Sequence, residues 1–224
     1  MSGLEEVTGP TVEPISRIEA REHLRLDDDV DDAQVRAYTL AARMWAENYT
    51  GRAFITRTVA QYLNGFSQLD TPLWEGWKTG PDIIKYENNI ELAMAPVVSV
   101  ANIKYFTKDD TENTWASSNY YVDSVREPAR IVLRDGGNYP TNLRSANALK
   151  ITFDAGYGAT PNSVPEPIRV AMLQYVAFLY EHRGDFERFP APTPPAILTQ
   201  LLQPYQIMRF SGTPYKALPV AGIG

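Results

Sequence analysis

The chain has 224 residues, of which 44% are hydrophobic and 11% aromatic, and this length and content exclude wholesale disorder. It contains no cysteine, which excludes disulfides, thiolate-bound metals and thiol catalysis, and its two histidines leave little for a histidine-based metal site or catalytic triad. The net charge is −6 and no basic stripe is present, so the composition argues against a general DNA-binding role.

The N-terminal segment combines a charge bias with one helix signal. Residues 1–32 hold ten carboxylates against three arginines. The first residues show neither the basic nor the apolar region of a secretory signal, so none is predicted. Ser16 and Glu19 have the spacing of a capping box, which predicts a short helix over 16–25. We assign residues 1–15 to an N-terminal extension.

A second and longer helix is predicted over 31–50. Asp31 followed by Gln34 has the pattern of a capping box, and Val30 with Val35 has that of a hydrophobic staple. Gly51 is the residue type that commonly follows a helix in the left-handed conformation. The apolar residues recur at steps of three and four, which indicates an amphipathic helix that packs against a core. They are Val35, Tyr38, Ala42, Trp45 and Tyr49.

Residues 55–164 have a different character, because β-branched and aromatic runs alternate with turn-like segments. The run at 149–155 alternates apolar and polar residues, and the run at 90–94 follows the same pattern. Alternation is typical of a sheet with one solvated face, and such sheets are mostly antiparallel. We therefore predict an inserted, mostly antiparallel β region of about 100 residues here.

The third predicted helix, over 167–183, is apolar on nearly every face. One stripe at helical spacing is that of an ordinary core-facing helix, but other faces are apolar as well. A helix of this kind must be covered all round, and a second copy of the chain is the cover we expect. About 17 residues span only about 25 Å, which is short for a bilayer. The residues on the additional faces, which we expect at a subunit interface, are Val170, Leu173, Ala177 and Tyr180.

The remaining segment, 185–224, is rich in proline but carries large apolar side chains that a solvated linker does not need. From Gln203 onward it has only Arg209 and Lys216 as charged residues. We therefore expect an extended tail that docks on a partner. The side chains expected to anchor it are Ile197, Leu201, Leu202, Tyr205, Met208 and Phe210.

These elements together predict the α+β class, as a helical bundle with an inserted β region and an extended C-terminal tail. The helical body would consist of 16–54 and 165–184, with 55–164 as the insert. The chain offers no constellation of catalytic groups, so we expect no enzyme activity and no cofactor.

Several motifs in fixed order over residues 15–183 resemble the head–tail connector (adaptor) proteins of long-tailed phages and related gene-transfer particles. The first is the stretch I-S-R-I-E-A-R-E-H-L-R-L-D-D-D-V-D-D at 15–32. The second is A-R-M-W-A-E-N-Y-T-G-R-A-F-I-T-R-T at 42–58. A-P-V-V-S-V-A-N-I-K-Y-F, T-F-D-A-G-Y-G, V-P-E-P-I-R-V-A and Y-E-H-R follow in that order.

The resemblance implies a virion neck protein that forms a ring of about twelve copies under the portal. Its partners would be other copies of itself, the portal protein and a stopper or tail completion protein. DNA would pass through the central hole without specific binding, and no membrane is involved. The protein would be made in the bacterial host cytoplasm and act at the head–tail neck. The family's fold is a helical bundle with an inserted β region, which is also the fold that the residue patterns predict. The resemblance implies no catalytic residues.

The acidic stretch from Asp27 to Asp32 admits three interpretations. Asp27, Asp28 and Asp29 could face a channel and keep DNA from sticking to it. The alternation of acids resembles a calcium loop, but Asp32 and Tyr38 stand where that loop needs glycine and glutamate. Helix-capping carboxylates near a positive helix end are the simplest interpretation.

Two alternative functions follow from these patterns, besides a binder of nucleic-acid ends, against which the acidic N-terminal third of the chain argues. One is another neck component, a stopper or tail terminator. The other is a metal-dependent hydrolase that uses the Asp27–Asp32 carboxylates.

Overall fold

A computed structural model describes the chain in four ranges, to which the structural statements below refer. They are 3–26, 31–66, 89–183 and 195–207. The chain divides into two compact units, each built from discontinuous segments. The β unit comprises 1–9 and 57–155, and the helical unit comprises 10–56 and 156–224. The predicted α+β class is confirmed.

The β unit has two antiparallel sheets in its described part. The five-stranded sheet has the order β1-β2-β8-β4-β5, and the three-stranded sheet has the order β3-β7-β6. The strands are β1 (Gly3–Thr8), β2 (Arg57–Leu63), β3 (Asn89–Glu91), β4 (Val97–Phe106), β5 (Glu112–Thr114), β6 (Tyr120–Asp123), β7 (Arg130–Leu133) and β8 (Leu149–Ala155). The antiparallel prediction is therefore confirmed.

Strand β8 lies at the centre of the larger sheet and shows the predicted alternation. Leu149, Ile151 and Phe153 are wholly buried, whereas Lys150 and Thr152 are partly exposed. Burial of one such apolar side chain contributes about 1.5–3 kcal/mol before the entropy cost, so this strand supplies much of the unit's core. The sequence pattern did not predict β1, which is an edge strand with mostly exposed side chains.

A buried glutamine joins the two sheets of the β unit. The Gln61 side chain on β2 accepts a hydrogen bond from the Ala93 backbone N–H at 2.8 Å and donates one to the Glu91 carbonyl at 3.1 Å. Both amide groups are thus satisfied, which is the condition for burying a polar side chain. The second apolar run departs from strict alternation, because Ala93 is buried together with Leu92 and Met94.

The helical unit contains four α-helices in its described part, and α2 packs on α1, α3 and α4. They are α1 (Arg17–Leu24), α2 (Asp32–Thr50), α3 (Glu166–Glu181) and α4 (Ala196–Leu202). Phe54, Ile168 and Met172 are wholly buried at the centre of its core. Among the described helices, none combines the length and apolar character that crossing a bilayer requires.

The helix ends confirm one capping prediction and correct another. Ser16 and Glu19 form the predicted capping box of α1. Gly51 ends α2 with a φ of 73°, in the left-handed region that glycine adopts without a Cβ penalty. Asp31 precedes α2 but makes no capping hydrogen bond, so that prediction was wrong. Its carboxylate bonds to α3 instead, and Gln34 donates to Tyr38. The predicted partner Val30 lies outside the described residues.

Candidate assembly surfaces

The predicted interface residues of α3 lie in two different environments. Val170 is 37% exposed, and Ala177 is partly exposed. Leu173 packs partly against the core, and the Tyr180 hydroxyl donates to the Asp31 carboxylate at 2.5 Å. The surface available to another molecule therefore follows Val170, Gln174 and Ala177, while Tyr180 already has an internal role.

Helix α4 is part of the predicted docking tail, and it packs against the chain's own helical unit. Leu198 and Leu202 are wholly buried, and Leu202 belongs to the core formed with α2 and α3. Leu201 and Tyr205 pack against the same core. Ile197 is 53% exposed and points away from these contacts. Leu202 therefore cannot serve a partner while α4 is packed in this way.

Two hydrogen bonds hold the end of the described tail at the C-terminus of α2. The Ile207 backbone N–H donates to the Thr50 carbonyl at 2.9 Å. The Arg52 guanidinium donates to the Tyr205 carbonyl at 2.5 Å. The Ile207 side chain lies against Gly51, with contacts of 3.6–3.9 Å to where a Cβ would stand there. The end of the described tail is thus fixed at a defined point, and Met208 and Phe210 lie outside the described residues.

We expect Leu202→Ala to destabilise the helical unit. The substitution leaves a cavity in the core that Leu202 shares with residues of α2 and α3, and large-to-small changes in a core cost about 2–5 kcal/mol. Urea denaturation of the full chain measures the change. Ile197→Ala is the control from the same helix, and because Ile197 is exposed its cost should stay below about 1 kcal/mol. Equal costs for the two variants would mean that α4 is not packed on the core.

The acidic stretch before α2 is described only at Asp31 and Asp32, and both carboxylates are engaged. Tyr180 donates to Asp31, and Arg183 lies 3.2 Å from it. The hydrogen bond from Tyr180 lowers the pKa of Asp31 below its ordinary value, and Arg183 adds to that shift against the opposing effect of burial. Asp32 pairs with Arg17 at 2.6 Å. The proposed channel-facing acids Asp27, Asp28 and Asp29 lie outside the described residues.

Arg169 on α3 fastens the N-terminal part of the helical unit. Its guanidinium pairs with Glu19 of α1 and Glu166, and donates to the Pro14 carbonyl at 3.2 Å. Burial alone would raise the pKa of Glu19, but the hydrogen bonds from Ser16 and the Arg169 charge lower it below its ordinary value. Glu19 therefore stays ionised, and α1 is held against α3 by charge as well as by packing.

A second ionic cluster is buried inside the helical unit. The Arg43 guanidinium lies 2.8 Å from Glu13 and 3.0 Å from Glu47. The other carboxylate oxygen of Glu47 accepts the Phe54 backbone N–H at 3.0 Å. Burial would lower the pKa of Arg43, but the charges of Glu47 and Glu13 raise it above its ordinary value, so the guanidinium remains charged. The cluster ties three stretches of backbone together.

The outward face of α2 was missed by the sequence analysis. Ala33, Ala37 and Leu40 recur at helical spacing and are exposed, and Leu40 keeps 42% of its surface. With Pro10 and Val12 they line an open groove beside the helix. The signal was present as a second apolar periodicity offset from the core-facing one. Alanine residues hid it, because they count weakly as hydrophobic and are strong helix formers on any face.

The structure thus comprises a helical unit and an antiparallel β unit, and the accessible surfaces described above are helix faces of the helical unit. Among the described residues, no group of three or more metal-ligating side chains converges. No protein-family profile matches the chain, and none of the curated proteins matches it at a significant level.

Solved structures do share this fold. A chain in the neck of an empty gene transfer agent (GTA) particle, computed with C6 symmetry, superposes with a TM-score of 0.69 at 24% identity, over 94% of this chain and 98% of that chain. A chain in the virion of a native GTA particle gives a TM-score of 0.68 at 22% identity, over the same shares. A chain in the neck of a native GTA particle, computed with C12 symmetry, gives 0.66 at 23% identity, again over 94% and 98%. At these identities the likeness establishes the fold.

Proposed function

We propose that this protein is a structural component of a virion neck, where it forms a ring that joins the portal of the head to the tail and lets DNA pass through its centre. The observation that carries the proposal is the extent of the shared fold. It covers 94% of this chain and 98% of a chain from a GTA neck, so both the helical and β units are included. The motif resemblance over residues 15–183 supports the adaptor position within the neck.

The surfaces of the helical unit suit assembly. Ring contacts are assigned to the outward face of α3, where Val170 and Ala177 remain accessible. When a neighbouring subunit covers exposed apolar groups on such a face, the free energy of the assembly falls. The C6 and C12 symmetries belong to the GTA neck structures, and a ring of about twelve copies is proposed for this chain by analogy with them.

Docking on the portal is assigned to the segment that begins after Ile207, together with the exposed Ile197. The segment 208–224 contains Met208 and Phe210 and has no acidic residue. Leu202 is not assigned to portal docking, because it is buried in the chain's own core. Leu201 and Tyr205 pack partly against the same core, so they offer less surface to the portal. The acidic stretch 27–29 remains assigned to the channel, where like charge would keep DNA from binding.

The hydrolase alternative finds no support in the described acids. Asp32 forms an ion pair with Arg17. Asp31 forms an ion pair with Arg183 and accepts a hydrogen bond from the Tyr180 hydroxyl. Carboxylates held by arginine are poor starting points for a divalent-metal site, since metal binding would have to break these pairs. Another neck position, as a stopper or tail terminator, is distinguished by the order of binding in the experiment below.

The test is binding to tail-less heads that carry only the portal. We expect the full chain to sediment with these heads before any other neck protein is added, which a stopper or tail terminator would not do. A chain ending at Ile207 should keep the helical unit folded, since Leu202 and Ile207 are retained, and should lose at least about tenfold in affinity, equivalent to about 1.4 kcal/mol.

Val125→Ser is the control for this experiment. Val125 is 97% exposed in the β unit, so replacing it should leave both folding and binding to heads unchanged. Failure of the full chain to bind portal-bearing heads would overturn the adaptor position. Equal binding by the shortened chain would remove the C-terminal segment from the docking surface.

A further inference from the structure

The groove on the outward face of α2 has no role in the proposal above. It contains the exposed Leu40 and Val12, and Arg36 lies at its side. Among the described residues, the Arg36 guanidinium has no ion-pair partner within 4.0 Å. Thr11, Thr39 and Glu13 also line the groove, and the Glu13 carboxylate is already paired with Arg43. A partly apolar groove with an available cation is suited to a surface that carries small or apolar groups and is acidic at one end.

The outward face of α3 has an acidic end and small or apolar groups on either side of the polar Gln174. It carries Val170 and Ala177 and ends at Glu181, which is exposed and has no ion-pair partner among the described residues. Glu181 lies one turn beyond Ala177 on the same side of the helix. The two faces are therefore complementary in charge, and both bear small or apolar groups.

The two faces point away from each other within one molecule. Ala42 and Ala46 of α2 belong to the core that α2 shares with α3, and the buried Val35 lies on the same side of the helix. That side is about 180° around the helix from Ala33, Ala37 and Leu40, at about 100° per residue. In α3, Ile168 and Met172 face the core, and Val170 and Ala177 lie on the opposite side. Two different surfaces on opposite flanks are what a head-to-tail ring requires, whereas a two-fold dimer uses one surface twice.

The charges also lie at the same end of the helix pair. Asp31, next to the first residue of α2, contacts Tyr180 near the last turn of α3, so the two helices run antiparallel. Arg36 is in the second turn of α2, and Glu181 ends α3. A repeat of the unit displaced by about three residues along the helices, or about 4.5 Å, brings Ala37 of one copy level with Ala177 of the next. Arg36 then lies within about one turn of Glu181, and both side chains are long.

We infer that the α2 groove is the receiving half of the subunit contact, and that its occupant is the outward face of α3 from a second copy, with Arg36 facing Glu181 and Ala37 facing Ala177. This inference rests on the proposed ring and deepens it, because it specifies which surface of one copy meets which surface of the next. In this contact, the second copy would cover the exposed side chains of Val12 and Leu40.

A charge exchange between Arg36 and Glu181 tests the pairing. Arg36→Glu and Glu181→Arg should each weaken self-association about tenfold or more, because each places like charges opposite one another in every contact of the ring. The double variant restores the opposite pairing with reversed sign and should return to within about threefold of the unaltered chain, as a direct contact predicts. Additive losses in the double variant would overturn the pairing. Circular dichroism of each variant confirms that the helices are intact.

The absence of cysteine allows a second and independent test. A mixture of the single variants Ala37→Cys and Ala177→Cys, treated with a bifunctional maleimide, should give dimers only, whereas a chain carrying both substitutions should give a ladder of higher oligomers. Each single variant alone should stay monomeric. Cross-linked dimers of Ala37→Cys alone would show a two-fold contact instead and would overturn the inference.

The cross-linking should be carried out on the free chain and on the chain bound to portal-bearing heads. If the chain binds portal-bearing heads but the mixed cross-link forms neither on the heads nor in the free chain, the assignment of the subunit surfaces is overturned and the neck role is left intact. A ladder formed by a chain that never binds heads would support the subunit contact and remove the neck role. If the mixed cross-link forms only after the chain is shortened at Ile207, the groove is occupied by residues 208–224 in the full chain, which also overturns the inference.

Discussion

We expect Gly156→Ala to be among the most destabilising single substitutions in the helical unit, at about 3–5 kcal/mol. Gly156 has a φ of 146°, which L-residues with side chains rarely adopt. A Cβ on Gly156 would lie 2.4 Å from the Thr56 backbone nitrogen and 2.5 Å from its Cα. These atoms cannot give way easily, because the Thr56 N–H is bonded to the Gly158 carbonyl at 2.9 Å.

Gly51→Ala provides the matched control for this prediction. Gly51 lies in the same unit and also has a positive φ, of 73°, but an added Cβ there would meet only the Ile207 side chain at 3.6 Å. Its cost should therefore be that of the backbone conformation alone, about 1–2 kcal/mol. Urea denaturation of the full chain measures both variants. Equal losses would mean that the approach of Thr56 to Gly156 is looser than these distances indicate.

Breaking the buried ionic cluster is the second change with a large expected effect. Arg43→Met leaves the Glu47 carboxylate without its guanidinium partner in a buried setting, and removing one member of such a pair costs about 3–5 kcal/mol. The Phe54 N–H still needs an acceptor, so the second substitution must retain one. Glu47→Gln does so while removing the charge.

The double variant Arg43→Met/Glu47→Gln should recover most of that loss, because residue 47 is then neutral and still accepts the Phe54 N–H. Glu13 also loses Arg43, but its side chain is 35% exposed and water can solvate it. The comparison requires the free energy of unfolding for both single variants and the double variant. If the double variant is as unstable as the sum of the single ones, packing of the Arg43 stem rather than charge dominates its role.

The parts of the fold predicted correctly are those in which local pattern and tertiary structure agree. The Ser16 and Glu19 capping box forms within the helix itself, and the alternation in β8 reflects burial of one face of a central strand. β1 escaped prediction because it is a mostly exposed edge strand held by its pairing with β2, and edge residues carry little hydrophobic periodicity.

Asp31 shows how a tertiary contact can override a local signal. Its sequence context favours a capping box, but Tyr180 and Arg183 on α3 provide charge-assisted partners that the local sequence does not reveal. In the tail, the prolines suggested an extended segment throughout. The seven residues Ala196–Leu202 contain none, and they form a helix because Leu198 and Leu202 lie on the same side and find the core of the same chain.

Only one of the two proposed assembly surfaces could be predicted from the sequence, for a related reason. Val170 and Ala177 stood out in a strongly apolar helix, whereas the α2 face is built largely from alanine and becomes recognisable only once its core-facing side is known. Complementarity between two surfaces depends on where helices point after packing, and that information is absent from periodicity within a single helix.

The attachment of Ile207 to Thr50 has a mechanical consequence. Any pull that a partner exerts on residues beyond Ile207 meets this hydrogen bond and the Arg52–Tyr205 bond first, and then the buried leucines of α4. Such a pull therefore acts on the C-terminal end of α2 and on the core that α2 shares with α3 and α4.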